Sequence, residues 1–272
     1  MMIYKRVIFF LIFISALGNW SCNEILNVDI VGDGNLKTDT LQNLSSFSGI
    51  YLDSDFEIVL TSGEDQEVWV KADSNLLEND YINIEVDDDW LNVGVKPNFN
   101  IAPRQPVRVY IQIPPESRIS EAEVVNGGTI IADSLSISKF SVSVLGISVF
   151  RGNQISSENN FQILAEGSTT IYIDGEFQVL SLHQKGSGNM VLTGNTDFSE
   201  ILLEGSGKID GKSMTMNDAN ISIYGSGLVL CRVPGTLSAL IDGSGRIYYY
   251  GGHPENLDKE IIGEAGQVRS GD

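Results

Sequence analysis

The side chains able to do chemistry are few, and their spacing decides what they can do. The chain holds two histidines, His183 and His253, and two cysteines, Cys22 and Cys231. A closed structural zinc site takes four thiolate or imidazole ligands at short, regular spacings, and these four are scattered along the whole chain. The densest acidic run, Asp87-Asp88-Asp89, could offer hard oxygen ligands to calcium, but it lacks the spaced ligands and glycine of a calcium loop. Standing between two alternating segments, it reads as a solvated hairpin turn. Neither histidine belongs to an arrangement from which Ser-His-Asp catalysis can be argued, and His253 before Pro254 reads as a turn residue. Cys231 reads as a small buried apolar residue rather than a nucleophile. No catalytic, cofactor-binding or metal-binding residue is expected.

The motif that does recur is Gly-Ser-Gly, at 186–188, 205–207, 225–227 and 243–245. As a phosphate-cradling loop it fails, because no helical pattern follows and no Lys-Ser/Thr completes a P-loop. Its period is also too long for calcium-binding β-roll nonapeptides. Gly127, Gly146, Gly167, Gly186, Gly205, Gly225, Gly243 and Gly263 instead mark a repeat with a spacing of about 20 residues. Such a period is the signature of a solenoid, in which one rung cannot bury its apolar face but stacked rungs can. The glycines Gly186, Gly188, Gly205, Gly207, Gly225, Gly227, Gly243 and Gly245 are then structural corner residues, supplying positive φ and close approach of successive rungs.

Aligning the rungs on these marks tests the idea. Four residues after the five middle marks stand Ile171, Met190, Ile209, Val229 and Ile247; two before stand Ala165, Gln184, Leu203, Ile223 and Ile241; four before stand Ile163, Leu182, Ile201, Ile221 and Ala239. Apolar residues therefore alternate in register, as the inward face of stacked parallel strands requires, with Gln184 as the misfit. The residue just before each mark (Glu166, Lys185, Glu204, Tyr224, Asp242) should point outward, placing opposite charges on neighbouring rungs. The residue after each mark forms a serine column whose hydroxyls can satisfy one another.

Residues 29–115 read as further strands. Phe56–Leu60 and Glu67–Lys71 flank a turn sequence and read as a hairpin, and 82–86 with 90–95 reads as a second. Val107–Ile113 alternates strictly and is stopped by Pro114-Pro115. No segment of the mature chain keeps a 3.6-residue apolar period over three turns, so the fold class is all-β. The expected architecture is a right-handed parallel β-solenoid (β-helix) of about seven rungs over 116–272, on the order of 34 Å long, preceded and capped by the β-rich section 29–115. Its open end would present unpaired strand edges, which the segment 263–272 or a second subunit would shield.

The first residues carry an address. Lys5-Arg6, an apolar run from Val7 to Leu17 and a small-residue boundary make 1–21 a secretory signal peptide, too short to stay as a membrane span. Cys22 follows the boundary and resembles the lipid-modified cysteine of bacterial lipoproteins. Ser21 fits that pattern, whereas Asn19 and Trp20 depart from it, and plain secretion is the alternative. With lipidation, 22–28 becomes a tether and the membrane is reached through the anchor alone. Cys231 is then left without a disulfide partner. The 272-residue chain has 17 Lys+Arg against 36 Asp+Glu, a net charge of −19, and the basic leader makes the remainder still more acidic. Such a surface repels phosphate backbones and anionic headgroups, which excludes nucleic acid as an expected partner. At 42% hydrophobic residues the chain can nevertheless bury a core.

Several stretches resemble one family. Ser46–Ile50 with Phe56–Leu60, then 71–77, the repeated Gly-Ser-Gly and the closing 243–254 are similar to the GIN domain, the autotransporter adhesin head domain of Bacteroidetes envelope lipoproteins. The similarity covers about Ile30 to Ser270. The chain departs from the pattern at 126–128, 145–147, 166–168 and 263–266, where Gly-Ser-Gly is not complete. The resemblance implies a β-solenoid at the outer membrane, cell surface or periplasm, with adhesion proposed and no catalytic residues to carry over.

Function is expected on the outward columns. Three before the marks stand Leu164, His183, Leu202, Ser222 and Leu240, where three exposed leucines, with Tyr248 and Tyr250 near the last full rung, form a candidate interaction strip. Coverage of this strip by the chain's own loops or by a neighbouring subunit is the competing reading. The leading expectation is a non-catalytic binding or adhesion module whose partner is an envelope or extracellular protein or glycan, with a homo-oligomer as a further option. A polysaccharide-active β-helix enzyme needs carboxylates paired on one face, which no column supplies. A purely structural envelope protein is the third alternative.

Overall fold

A computed structural model describes residues 29–272 apart from Asn43, Pro115, Glu116 and Glu264. The expected signal peptide (1–21), Cys22 and the tether (22–28) lie outside the described residues. Among the described residues no helix is long and apolar enough to cross a membrane. The fold is nearly all β, with one short helix, Ser74–Glu78, and a parallel β-solenoid of about seven turns.

Its long strands are Val149–Gly167, Thr170–Gly186, Asn189–Gly205 and Lys208–Gly225. Each begins on the face just after a glycine mark, rounds the molecule and ends on the face leading up to the next mark. Neighbours pair in parallel and in the register expected from the sequence: Ile171 lies opposite Met190, Met190 opposite Ile209, Ile209 opposite Val229 and Val229 opposite Ile247. All these side chains are buried, as are those two and four before each mark. An aromatic ladder reinforces the first turns, with Phe161 5.3 Å from Phe177, 6.1 Å from Phe140 and 6.2 Å from Phe150 between ring centres. Gln184 is fully buried: its amide nitrogen donates to the carbonyl of Gly188, while its oxygen has no partner.

The glycine marks fall where one long strand ends and the next begins. There the amide of the following serine donates to the carbonyl of the glycine one turn back: Ser187 to Gly167 at 2.9 Å, Ser206 to Gly186 at 3.0 Å, Ser226 to Gly205 at 2.9 Å and Ser244 to Gly225 at 2.9 Å. The pairing therefore continues through the break. Gly186, Gly205, Gly225 and Gly243 have φ of +108°, +118°, +127° and +128°, and a Cβ on any of them would stand 2.5–2.6 Å from the preceding glycine's carbonyl oxygen. Only glycine meets both conditions. The second glycine of each motif is buried, and at Gly207 the space of a Cβ is taken by the Gln184 side chain. Within the serine column one hydroxyl contact forms, Ser168 to Ser187 at 3.2 Å.

Residues 29–115 do two things: they lengthen the parallel stack and they cap it. Gly49–Asp53 pairs in parallel with Glu121–Val125, and Glu57–Ser62 with Thr129–Asp133. Trp90–Val95 and Arg108–Ile113 then pair in parallel with the far sides of Gly49–Asp53 and Glu57–Ser62. Space order and chain order thus differ, since 90–113 lies outside 49–62. Antiparallel strands finish this end: Ile82–Asp87 on Trp90–Val95, and Glu67–Asp73 on Arg108–Ile113, with Leu36–Thr40 beyond.

This corrects the expected hairpin between Phe56–Leu60 and Glu67–Lys71. The two segments do not pair, because Arg108–Ile113 lies between them, parallel to one and antiparallel to the other. The other hairpin forms, and its turn residues Asp88 and Asp89 have φ of +46° and +69°. At the opposite end, the expected shield is itself a strand: Gln267–Ser270 pairs with Arg246–Tyr249, while Asn256–Ile262 pairs with Thr236–Gly243. Together they make the last turn.

Candidate functional site

Two outward faces meet at the glycine line. On the face leading up to it, the column three before the marks is continuous through the registers from Ser143 to Leu164, His183, Leu202, Ser222, Leu240 and Glu260. The structure brings Leu164, His183 and Leu202 side by side, with Leu240 beyond Ser222. Exposure is where the expectation needs correction: all three leucines are half-buried, because the flanking outward side chains pack around them in a close-set parallel sheet. His183 Nε2 sits 2.5 Å from Glu204, and Lys185 lies 3.3 Å from Glu166. Of the opposite charges expected on neighbouring turns, Lys185 pairs with Glu166, while Glu204 is met by His183.

Tyr248 and Tyr250 lie elsewhere. Tyr248 stands on the second face, opposite Arg269, and Tyr250 follows the same strand to a shallow depression lined by Arg269, Ser270, Gly271 and Asp272. The leucines and the tyrosines are not one strip. The Arg269 guanidinium donates to the Tyr248 hydroxyl at 3.2 Å and lies 5.0 Å from its ring centre; this hydrogen bond holds the phenol below its ordinary range. Lys212 lies 5.7 Å from the ring centre of Tyr250.

Tyr248 belongs to a column that sequence reasoning passed over. Five residues after the marks stand Arg151, Tyr172, Val191, Asp210, Leu230 and Tyr248, and the registers join them in that order. Ile131, Val59, Tyr110 and Trp69 continue the line over the N-terminal turns. Tyr172 and Val191 in this column are 43% and 41% exposed, more open than the leucine column. Trp69 stacks on Tyr110 with centres 5.3 Å apart and planes 4° apart, and Arg151 lies 5.8 Å from the centre of Tyr172. The ring faces of Trp69, Tyr110 and Tyr172 are thus turned toward column neighbours. The stripe lies one residue beyond the inward column at four after each mark, so reading the outward position next to that column finds it.

Charge divides with the faces. From residue 121 onward the leading face carries Glu121, Glu123, Glu166, Glu200, Glu204, Asp242, Asp258 and Glu260 against Lys185 and Lys259. The two outward columns next to the glycine line on the following face carry Lys71, Arg108, Arg151, Lys208, Arg246 and Arg269 against Glu57 and Asp210. Both of those acids are already paired, Glu57 with Arg108 and Asp210 with Lys208 at 3.0 Å.

Asp87–Asp89 caps its hairpin, where Asp89 accepts from the Ser48 hydroxyl at 2.9 Å and from Arg118 at 3.3 Å. His253 is exposed, with Nδ1 2.8 Å from the carbonyl of Pro254 and its ring edge-on to Tyr249. Cys231 is buried beside Tyr249 in the inward stack, and burial pushes its thiol up to about 12, which suppresses the thiolate. Among the described residues no group of three or more His, Cys, Asp or Glu is placed to hold a metal ion.

The comparisons agree on the fold. A putative lipid binding protein from Parabacteroides distasonis ATCC 8503 superposes with a TM-score of 0.77 at 23% identity, covering 89% of this chain and 99% of its own. A putative adhesin from Parabacteroides merdae ATCC 43184 gives 0.77 at 21% identity, over 90% and 99%. A second putative adhesin from P. distasonis gives 0.77 at 20% identity, over 89% and 100%. No match is found among curated proteins. The family model described as "Putative auto-transporter adhesin, head GIN domain" matches residues 46–253, which spans the N-terminal turns, both faces and the glycine line, and the chain belongs to that family.

Proposed function

We propose that this protein is a binding or adhesion module of the bacterial cell envelope, secreted by its first 21 residues and held to the outer membrane through a lipid on Cys22. The observation that carries the reading is the family match over residues 46–253 to an adhesin head domain. The geometry supports it: stacked parallel strands give long, flat, outward columns whose side chains recur at about 4.8 Å, a surface suited to an extended contact with a protein or glycan. The chain acts here through that surface and not through a catalytic centre.

Two measurements on cells test the reading. Protease treatment of intact bacteria should remove the protein, and Cys22→Ser should release it from the membrane fraction. Deleting the gene should lower attachment of cells to immobilised extracellular protein or glycan at least several-fold, with recovery on complementation. Full protection from protease together with unchanged attachment would overturn the proposal.

A further inference from the structure

We propose that the two faces are complementary halves of one contact, so that the cationic face of one copy docks on the acidic face of the next. The proposal does not depend on the adhesion reading. A strongly acidic protein would be expected to spread its few cations among its acids. Here Arg151, Arg246 and Arg269 share one face, and among the described residues none has a carboxylate within ion-pair distance. On the other face Glu200, Asp258 and Glu260 are likewise unpaired. Arg246 and Arg269 stand on neighbouring turns with Arg151 five turns from Arg246, while Glu200 stands three turns from Asp258 and Glu260, so both sets are spread along the stack and the two faces oppose one another in charge over several turns.

The aromatic stripe favours a protein partner over a sugar chain. Sugar rings stack on open aromatic faces, but Trp69 and Tyr110 cover one another and Arg151 covers Tyr172. What these residues offer outward is ring edge and guanidinium, which suits the leucines and carboxylates of the leading face. Size is adequate. A patch of about seven turns by about five residues measures roughly 34 by 17 Å, so docking buries on the order of 1,100 Å² in all. That clears the roughly 1,000 Å² expected of a specific interface, at the low end that belongs to reversible contacts. Because the two patches differ, the contact is heterologous and extends to rows or rings rather than stopping at a symmetric pair.

The test uses the mature chain in sedimentation velocity across a concentration series. Wild type should self-associate at low salt, and raising the salt about tenfold should weaken association at least tenfold, since screening acts on exposed charges. The variant Arg151→Glu/Arg246→Glu should stay monomeric, as should Glu200→Lys/Asp258→Lys, each with an unchanged circular dichroism spectrum and melting temperature. Mixed together, the two variants should associate again, because each then carries the charge the other lacks. A wild type that stays monomeric at low salt overturns the proposal, as does association that survives both reversals or silence of the mixture. Arginine-dependent binding of a polyanion such as polygalacturonate by a monomeric wild type would assign the cationic face to an acidic glycan instead.

Discussion

The leading and following faces share their strands and their glycine line, yet they differ in charge and side-chain type. The leading face is acidic, and its central column holds half-buried leucines, with Tyr224 exposed beside the glycine line. Its neighbour is cationic in the two columns next to the glycine line, and one of them is rich in aromatic side chains, with Trp69, Tyr110, Tyr172 and Tyr248. Inward positions answer to packing, which allows little variation in a parallel stack. Outward positions are free of that demand, so a division of charge there reflects what the surface meets.

The largest effect should come from the line where the faces join. Gly205→Val puts a side chain 2.6 Å from the Gly186 carbonyl at a φ of +118°, so it should cost ~3–5 kcal/mol in chemical denaturation or prevent folding. Gly146 also has positive φ, but a Cβ there meets nothing within 4 Å, and Gly146→Ala should cost only ~1 kcal/mol. Equal losses at the two sites would mean that backbone conformation, not close approach of turns, sets the glycine requirement.

Next in size is a matched pair across the faces. Leu202→Asp removes a half-buried side chain and should lower stability by ~1–2 kcal/mol, whereas Val191→Asp, at an exposed position, should stay within ~0.5 kcal/mol. Urea titrations with the order reversed would exchange the roles assigned to the two columns.

Smaller still is the ionisation of Tyr248. The hydrogen bond from Arg269 favours the phenolate, so ultraviolet titration should show one tyrosine ionising below the ordinary value of 10.0. Arg269→Gln should move it upward, and no movement would remove the pairing from the following face.

The smallest effect lies away from both faces, at the N-terminal cap. Asp33 accepts from the Ser74 hydroxyl at 2.6 Å, which lowers its carboxyl to about 2. Its folded value is depressed below the ordinary 3.8, so the contribution is complete above 3.8 and is lost as pH falls through about 2. Carboxyl chemical shifts should place this titration near 2 in the folded protein, and Ser74→Ala should raise it.

Much of the solenoid was legible because its constraint is local and repeated. A glycine every 20 or so residues and apolar residues at fixed offsets fix which side chains face inward, and the registers reproduce those columns. The hairpin at 56–71 was misread because alternation shows which side of a strand is buried but not which strand lies beside it. Glu57–Ser62 and Glu67–Asp73 are close in sequence, yet the partner of both is Arg108–Ile113. The leucine column was placed correctly, but its half-burial depends on neighbours that one sequence column does not contain.

The sequence by itself determined the repeat, the inward columns, the need for glycine between rungs and the acidic balance, because each follows from residue type at fixed spacing. Only the tertiary structure decided that residues 90–113 lie outside 49–62, that the leucines and Tyr248 occupy different faces, and that the cations gather on one of them. Those facts depend on which strands become neighbours. That choice is made by contacts between segments far apart in the chain, where no local pattern records it.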